Sequence, residues 1–305
     1  MSHESIFTKA CLIQLATSCW IGTRSLHPSQ MENLGHGDWL KGRKLLINPE
    51  LLGPIKTTIQ QARKFLTRNA LPFPLSGLYL VPKDTIDDVD GHLELFKNEF
   101  WSKVETFLDF YTEARDEARS FLGELFSEAD YPMNIREKFS FEWRFVTLAT
   151  PKQASILSPE VYQREKQKFQ ALMDETREIA IAALREEFGQ IVGHMVGKLS
   201  SNDGKPRAFK SSMLNRIREF LDTFGDRNLF GDETLAQLVT EARNLVGDTR
   251  SSHFGYSVAY NEVLRQKITG QMTQLKSAID AAIEELPRRR IRLDTTDRGS
   301  LPEAA

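Results

Sequence analysis

From Leu93 to Phe126 the apolar residues of this 305-residue chain fall at Leu93, Phe96, Phe100, Val104, Phe107, Tyr111, Ala114, Ala118, Phe121 and Leu125. Each step is three or four residues, no proline intervenes, and the first glycine is Gly123. That spacing predicts one long amphipathic helix with a seam of the coiled-coil kind. Such a helix does not hold in water alone and has to bury its stripe. A second segment of similar length follows. Ser158-Pro159-Glu160 supplies a cap, a proline suited to the first turn and an acid for the positive helix end. Its stripe runs through Phe169, Leu172, Met173, Thr176, Ala180, Leu184, Phe188, Ile191, Met195 and Leu199. At 1.5 Å per residue each helix spans ~50–60 Å, and the simplest burial is of one against the other. The fold expected is therefore mainly α: an elongated antiparallel long-helix pair with a small β element and a helical C-terminal part.

The rest of the chain is arranged around that pair. Ile6, Ala10, Ile13, Leu15, Ala16 and Trp20 read as a first helical stripe, with Cys11 and Cys19 on it. Eight helical residues rise ~12 Å, too far for a disulfide, so the two cysteines read as small buried residues of a reducing compartment. Asn48-Pro49-Glu50 starts another helix, and Pro72 and Pro74 stop it. Leu78 to Val81 reads as a short strand closed by Pro82. Phe139, Phe141, Trp143 and Phe145 alternate with Ser140, Glu142, Arg144 and Val146, the period of a strand. The two strands could pair, but they flank opposite ends of a ~50 Å helix, and Glu128 to Glu137 reaches back at most ~35 Å. Either the second strand runs along the helix or the sheet forms another way. Three shorter helices, about 209–224, 232–246 and 256–286, precede a basic tail. Four regions result: 1–86, the N-terminal helices and short strand; 87–199, the long-helix pair with the inserted aromatic strand; 200–286, the C-terminal helices; and 287–305, a mobile basic tail.

Composition excludes more than it selects. A hydrophobic content of 40% with 27% charge is that of an ordinary globular protein, and a formal net charge of -2 names no class of partner. Glu4 stands where a signal peptide carries basic residues, and Lys9, Gln14, Thr17 and Ser18 interrupt the apolar run that follows. No stretch approaches the ~20 apolar residues of a membrane span, so the expected location is the cytoplasm, with no membrane partner.

No chemistry declares itself. Gly35-His36-Gly37 and Gly204-Lys205-Pro206-Arg207 lack the strand–turn–helix setting of a phosphate loop. The six histidines share no metal-ligand spacing; His27, His36 and Asp38 fall in one loop, which reads as solvated. No catalytic, cofactor or metal residue is assigned, and the chain is read as no enzyme. Asp84, Asp87, Asp88 and Asp90 precede the first long helix on an expected loop, where acids suit the helix end. The aromatic strand is either core or a base-stacking platform, and core packing is the reading adopted. Arg288, Arg289, Arg290 and Arg292 suit phosphate or an acidic partner, although a charge run is usually a solvated tail.

Several stretches resemble an uncharacterised bacterial and phage family: Trp20-Ile21-Gly22, Gly42-Arg43-Lys44, Leu75 to Pro82, Phe139 to Phe145, and Leu157 to Tyr162. The resemblance covers Leu12 to about Leu199. It implies a mainly helical protein without an assigned activity, commonly encoded on phages and integrative elements beside a MoxR-type AAA+ ATPase and a von Willebrand A-domain protein. The function it implies is a non-catalytic accessory or adaptor working with those two partners, with Asp87 and Asp88 the first choices for the contact. The alternative is a nucleic-acid-binding factor in mobile-element replication or recombination that uses the arginines of the tail. An enzyme with a site assembled from scattered residues ranks last.

Overall fold

A computed structural model describes residues 6–27, 41–148, 157–200, 211–246 and 262–286. The fold is mainly helical with a small antiparallel sheet, as expected. The expected first helix is a correction. After a single turn, α1 (Ile6–Lys9), the chain extends into β1 (Ala10–Ser18). Leu12 and Ile13 are both 0% exposed although neighbours on a strand point to opposite faces. A strand covered on both faces carries a continuous apolar run, which a helix carries equally well, so periodicity alone does not separate the two. Cys11 and Cys19 accordingly stand about 26 Å apart at strand rise instead of the helical distance. Both are free thiols.

β1 is the hub of the sheet, whose order is β4 (Leu71–Pro72), β5 (Leu78–Pro82), β1, β6 (Ser140–Val146). Leu12 faces Leu80 on one side and Val146 on the other, and Ser18 faces Ser140. The two strands expected to pair thus do so only through β1. The reach problem is solved because β6 runs back along α3 (Ile86–Leu122). The Phe139 ring lies 5.6 Å from Phe107, Phe141 lies 5.5 Å from Phe100, and Trp143 Nε1 donates to Asp90 Oδ1 at 2.7 Å.

The stripe of α3 forms as expected, and much of it is buried against the sheet and α2. Leu93, Phe100, Val104 and Phe107 pack on the sheet and on Ile55, Ile59, Ala62 and Leu66 of α2 (Gly53–Asn69). A sheet and a second helix offer a wider apolar surface than one facing helix. The start of α2 is as read: Asn48 Oδ1 accepts from Glu50 N at 3.0 Å, capping a 3-10 turn (Pro49–Leu52) that leads into the helix. α5 (Ser211–Arg227) contacts α2 and β5, and Arg68 pairs with Glu219 at 3.5 Å. The second long helix, α4 (Pro159–Leu199), begins at its expected proline, with Ser158 Oγ accepting from Val161 N.

The chain divides into two compact units, Met1–Leu184 with Lys210–Asp232, and Arg185–Phe209 with Glu233–Ala305. In the second, the last turns of α4 join α6 (Glu233–Val246) and α7 (Glu262–Glu284). A Cβ on Gly189 would stand 3.3 Å from Ile279, so the small residue sets the close approach of α4 and α7. Ile191, Val192, Leu235, Val239, Met272 and Ile279 are buried.

Burial along β6 is graded. Phe139 and Phe141 are buried, Trp143 is half-buried, and Phe145 is 38% exposed. Phe141→Ala is therefore expected to lose about 3–5 kcal/mol in urea unfolding, as large-to-small core changes do. Trp143→Ala should lose clearly less. An equal or larger loss at Trp143 would contradict this order.

Candidate functional site

Asp87 and Asp88 do not lie on a loop. They occupy the first turn of α3, where acids favour the positive helix end. Both are exposed, and among the described residues no hydrogen bond or ion pair engages either carboxylate. Asp90, one turn in, is taken by Trp143. The rings of Phe139 and Phe141 sit in the core, in line with the packing reading, whereas Trp143 is half-buried and Phe145 is exposed. Arg288, Arg289, Arg290 and Arg292 lie outside the described residues, as do His36 and Asp38. Among the described residues no three of His, Cys, Asp and Glu converge on a metal position. No described helix is long and apolar enough to cross a membrane.

Among the described residues a dense polar cluster lies elsewhere, at the far end of α3. Gly123 ends that helix with φ at +51°, a left-handed conformation that favours glycine. The chain then returns through two 3-10 turns, Gly123–Leu125 and Glu128–Asp130, which bring acids back beside the helix's last basic residues. Glu128 pairs with Arg119 and, at 3.4 Å, with Arg115. Asp130 meets the two-stranded ribbon of β2 (Thr23–Ser25) and β3 (Arg43–Leu45). There Arg24 Nε stands 3.4 Å from Asp130 Oδ1, and Lys44 Nζ stands 2.6 Å from Oδ2. The Lys44 approach lies off the angle of a good hydrogen bond, so that contact is chiefly Coulombic. Lys44 is only 8% exposed, and it also donates to the Leu125 carbonyl.

Aromatic rings close the same corner. Tyr131 donates its hydroxyl to the Leu46 carbonyl at 2.8 Å. Trp20 meets Tyr111 edge-on at 5.9 Å and lies 6.5 Å from Tyr131. Gly22 makes the turn beneath: its φ is +68°, and a Cβ there would stand 3.1 Å from Ile47. Burial pushes the hydroxyl pKa of Tyr111 up, opposed by Arg115 and reinforced by Glu128. Tyr131 is raised by burial first and then by Tyr111.

Two concavities flank this corner. One, of about 460 Å³, is lined by Cys19 to Ile21, Thr23, Arg24, Leu46, the 129–132 segment and Lys138. The other, of about 550 Å³, is apolar and is lined by Leu45, Ile47, Pro49, Ala114, Ala118, Phe121 and Leu122 among others. Phe121 is 83% exposed and Leu45 50%.

The model of one protein family, described as a protein of unknown function (DUF3150), matches residues 7–197. That is well over half of the chain. The chain belongs to the DUF3150 family. The DUF3150 region takes in the whole sheet, α2, α3 and nearly all of α4, and so contains both concavities. Comparison with curated proteins and with solved structures finds no match.

Sequence reading missed this corner. In sequence Trp20-Ile21-Gly22 and Gly42-Arg43-Lys44 carry the family resemblance alone, and the structure brings the two together. The usable signal was the helix stop at Gly123 with Glu128 and Asp130 shortly after Arg115 and Arg119.

Lys44→Met leaves the largely buried Asp130 carboxylate with the exposed Arg24 in place of a buried cation and should lower stability by roughly 3 kcal/mol. Adding Asp130→Asn should recover part of that loss, and a double change as damaging as the sum of the singles would deny the coupling. The Tyr111 hydroxyl is buried without a hydrogen-bond partner among the described residues, so Tyr111→Phe should be nearly neutral at pH 7. Because the folded-state pKa of Tyr111 is raised, its contribution is complete below pH ~10 and falls as pH rises beyond that. Tyr111→Phe should therefore flatten the alkaline decline in melting temperature, and an unchanged decline would count against the assignment.

Proposed function

We propose that this DUF3150 chain is a non-catalytic adaptor that docks other proteins. The observation that carries the reading is the apolar groove between β3 and the last turns of α3, with Phe121 standing 83% exposed at its edge. Monomeric proteins seldom leave a large aromatic beside a contiguous apolar surface unless something covers it. The partners are the MoxR-type AAA+ ATPase and the von Willebrand A-domain protein that the family resemblance implies, on a phage or other mobile element.

The exposed carboxylates of Asp87 and Asp88 supply the second contact. A von Willebrand A domain grips a partner's carboxylate through a divalent ion, whose oxygen shell the carboxylate completes. Acids at the start of a rigid helix, with no partner of their own among the described residues, suit that role. Co-purification with the von Willebrand A protein should need Mg²⁺ and should drop on Asp87→Ala/Asp88→Ala. Phe121→Asp should weaken capture of one of the two partners without lowering the melting temperature, since the side chain is already in solvent. Association with neither partner under any nucleotide condition would end the adaptor reading.

A further inference from the structure

The cleft beside Trp20 is built differently from the apolar groove. Its floor is aromatic and fixed: Trp20 is held by Tyr111 at 5.9 Å, Phe107 at 6.4 Å and Tyr131 at 6.5 Å. Its rim is cationic. Arg24, its side chain 64% exposed, engages Asp130 through Nε at 3.4 Å. Among the described residues neither the Lys138 ammonium nor the Thr23 hydroxyl has a side-chain partner. Among the described residues the one carboxylate lining the cleft, Asp130, is already balanced by buried Lys44 at 2.6 Å. Arg24 and Lys138 thus leave a net positive rim beside the half-buried Trp20 indole.

Each feature selects part of a ligand. A guanidinium fork, an ammonium and a hydroxyl together suit the several oxygens of a phosphate better than the two of a carboxylate. A fixed indole suits a planar ring, and base–aromatic stacking tolerates any base. A volume of about 460 Å³ is of the size that holds one small ligand. From these we infer that the cleft binds a nucleotide unit, with its phosphate on Arg24, Lys138 and Thr23 and its base against Trp20. That unit is either a free nucleotide or one residue of a single strand. The inference is independent of the adaptor reading, since it uses neither the apolar groove nor Asp87 and Asp88.

The test is calorimetric titration of the full chain at low salt with AMP, with adenosine, and with a short oligo-dT. AMP or the oligonucleotide should bind, and adenosine should bind at least about tenfold more weakly than AMP, as loss of a charge-assisted hydrogen bond implies. Arg24→Ala/Lys138→Ala should weaken binding at least about tenfold with the melting temperature unchanged, because both side chains are exposed. Arg144→Ala, exposed on β6 and not part of the cleft lining, should have no effect. Cys19 lines the cleft, so in a Cys11→Ser background the ligand should slow alkylation of Cys19. Preference for AMP over the oligonucleotide identifies a free nucleotide as the source, and the reverse preference identifies a strand. The inference is overturned if neither ligand binds at millimolar concentration, if adenosine binds as well as AMP, or if the double variant binds normally.

Discussion

Every contact that α3 makes with the sheet depends on β1 having both of its edges hydrogen-bonded. β5 takes one edge through Ala10 to Gln14, and β6 takes the other through Leu12 to Ser18. Without β1 those two strands share no ladder, and Phe139 and Phe141 have nothing to hold them over Phe107 and Phe100. A 37-residue helix cannot persist with its stripe in water, so α3 depends on the sheet as much as the sheet depends on its covering helix. α2 then fills the remaining side through Ile55, Ile59, Ala62 and Leu66.

Charge takes over where the apolar stripe thins out. Beyond Phe107 the buried positions of α3 are Ala114 and Ala118, too small to anchor a neighbour by area alone. The chain turns at Gly123, and Glu128 and Asp130 come back to Arg115, Arg119, Arg24 and Lys44. Only the Lys44–Asp130 pair is largely buried, and removing one of its partners is costly, whereas the exposed arginine pairs contribute little stability of their own. The same residues that clamp the ribbon to the helix end also shape the wall of the Trp20 cleft.

Legibility followed the physics of each segment. The long helices were readable because a stripe at three- and four-residue spacing over more than thirty positions has no strand counterpart. β6 was readable because its outward residues, Glu142 and Arg144, are charged and leave a clean alternation. β1 was misread for the opposite reason: Leu12 and Ile13 are both enclosed, and enclosure on both faces erases the period. The covering of α3 by the sheet and α2 was not legible, because a stripe records how much surface must be covered and says nothing of what covers it. The polar corner escaped because Lys44 and Asp130 are 86 positions apart in sequence and meet only through the ribbon and the turn at Gly123.

The pairing of β1 with β6 also fixes an order of events on the ribosome. Ser18 donates to the Lys138 carbonyl across 120 residues. At roughly 5–20 residues per second, the first strand waits on the order of ten seconds for its second neighbour to be synthesised. For that interval the stretch from Leu12 to Ser18 has one edge open, the condition in which strands pair with the wrong chain. β5 emerges much sooner and closes the other edge, so a β4–β5–β1 hairpin assembly is the natural resting state of the nascent chain. Any truncation that stops short of Val146 freezes the protein there, and such fragments are expected to aggregate instead of behaving as small domains.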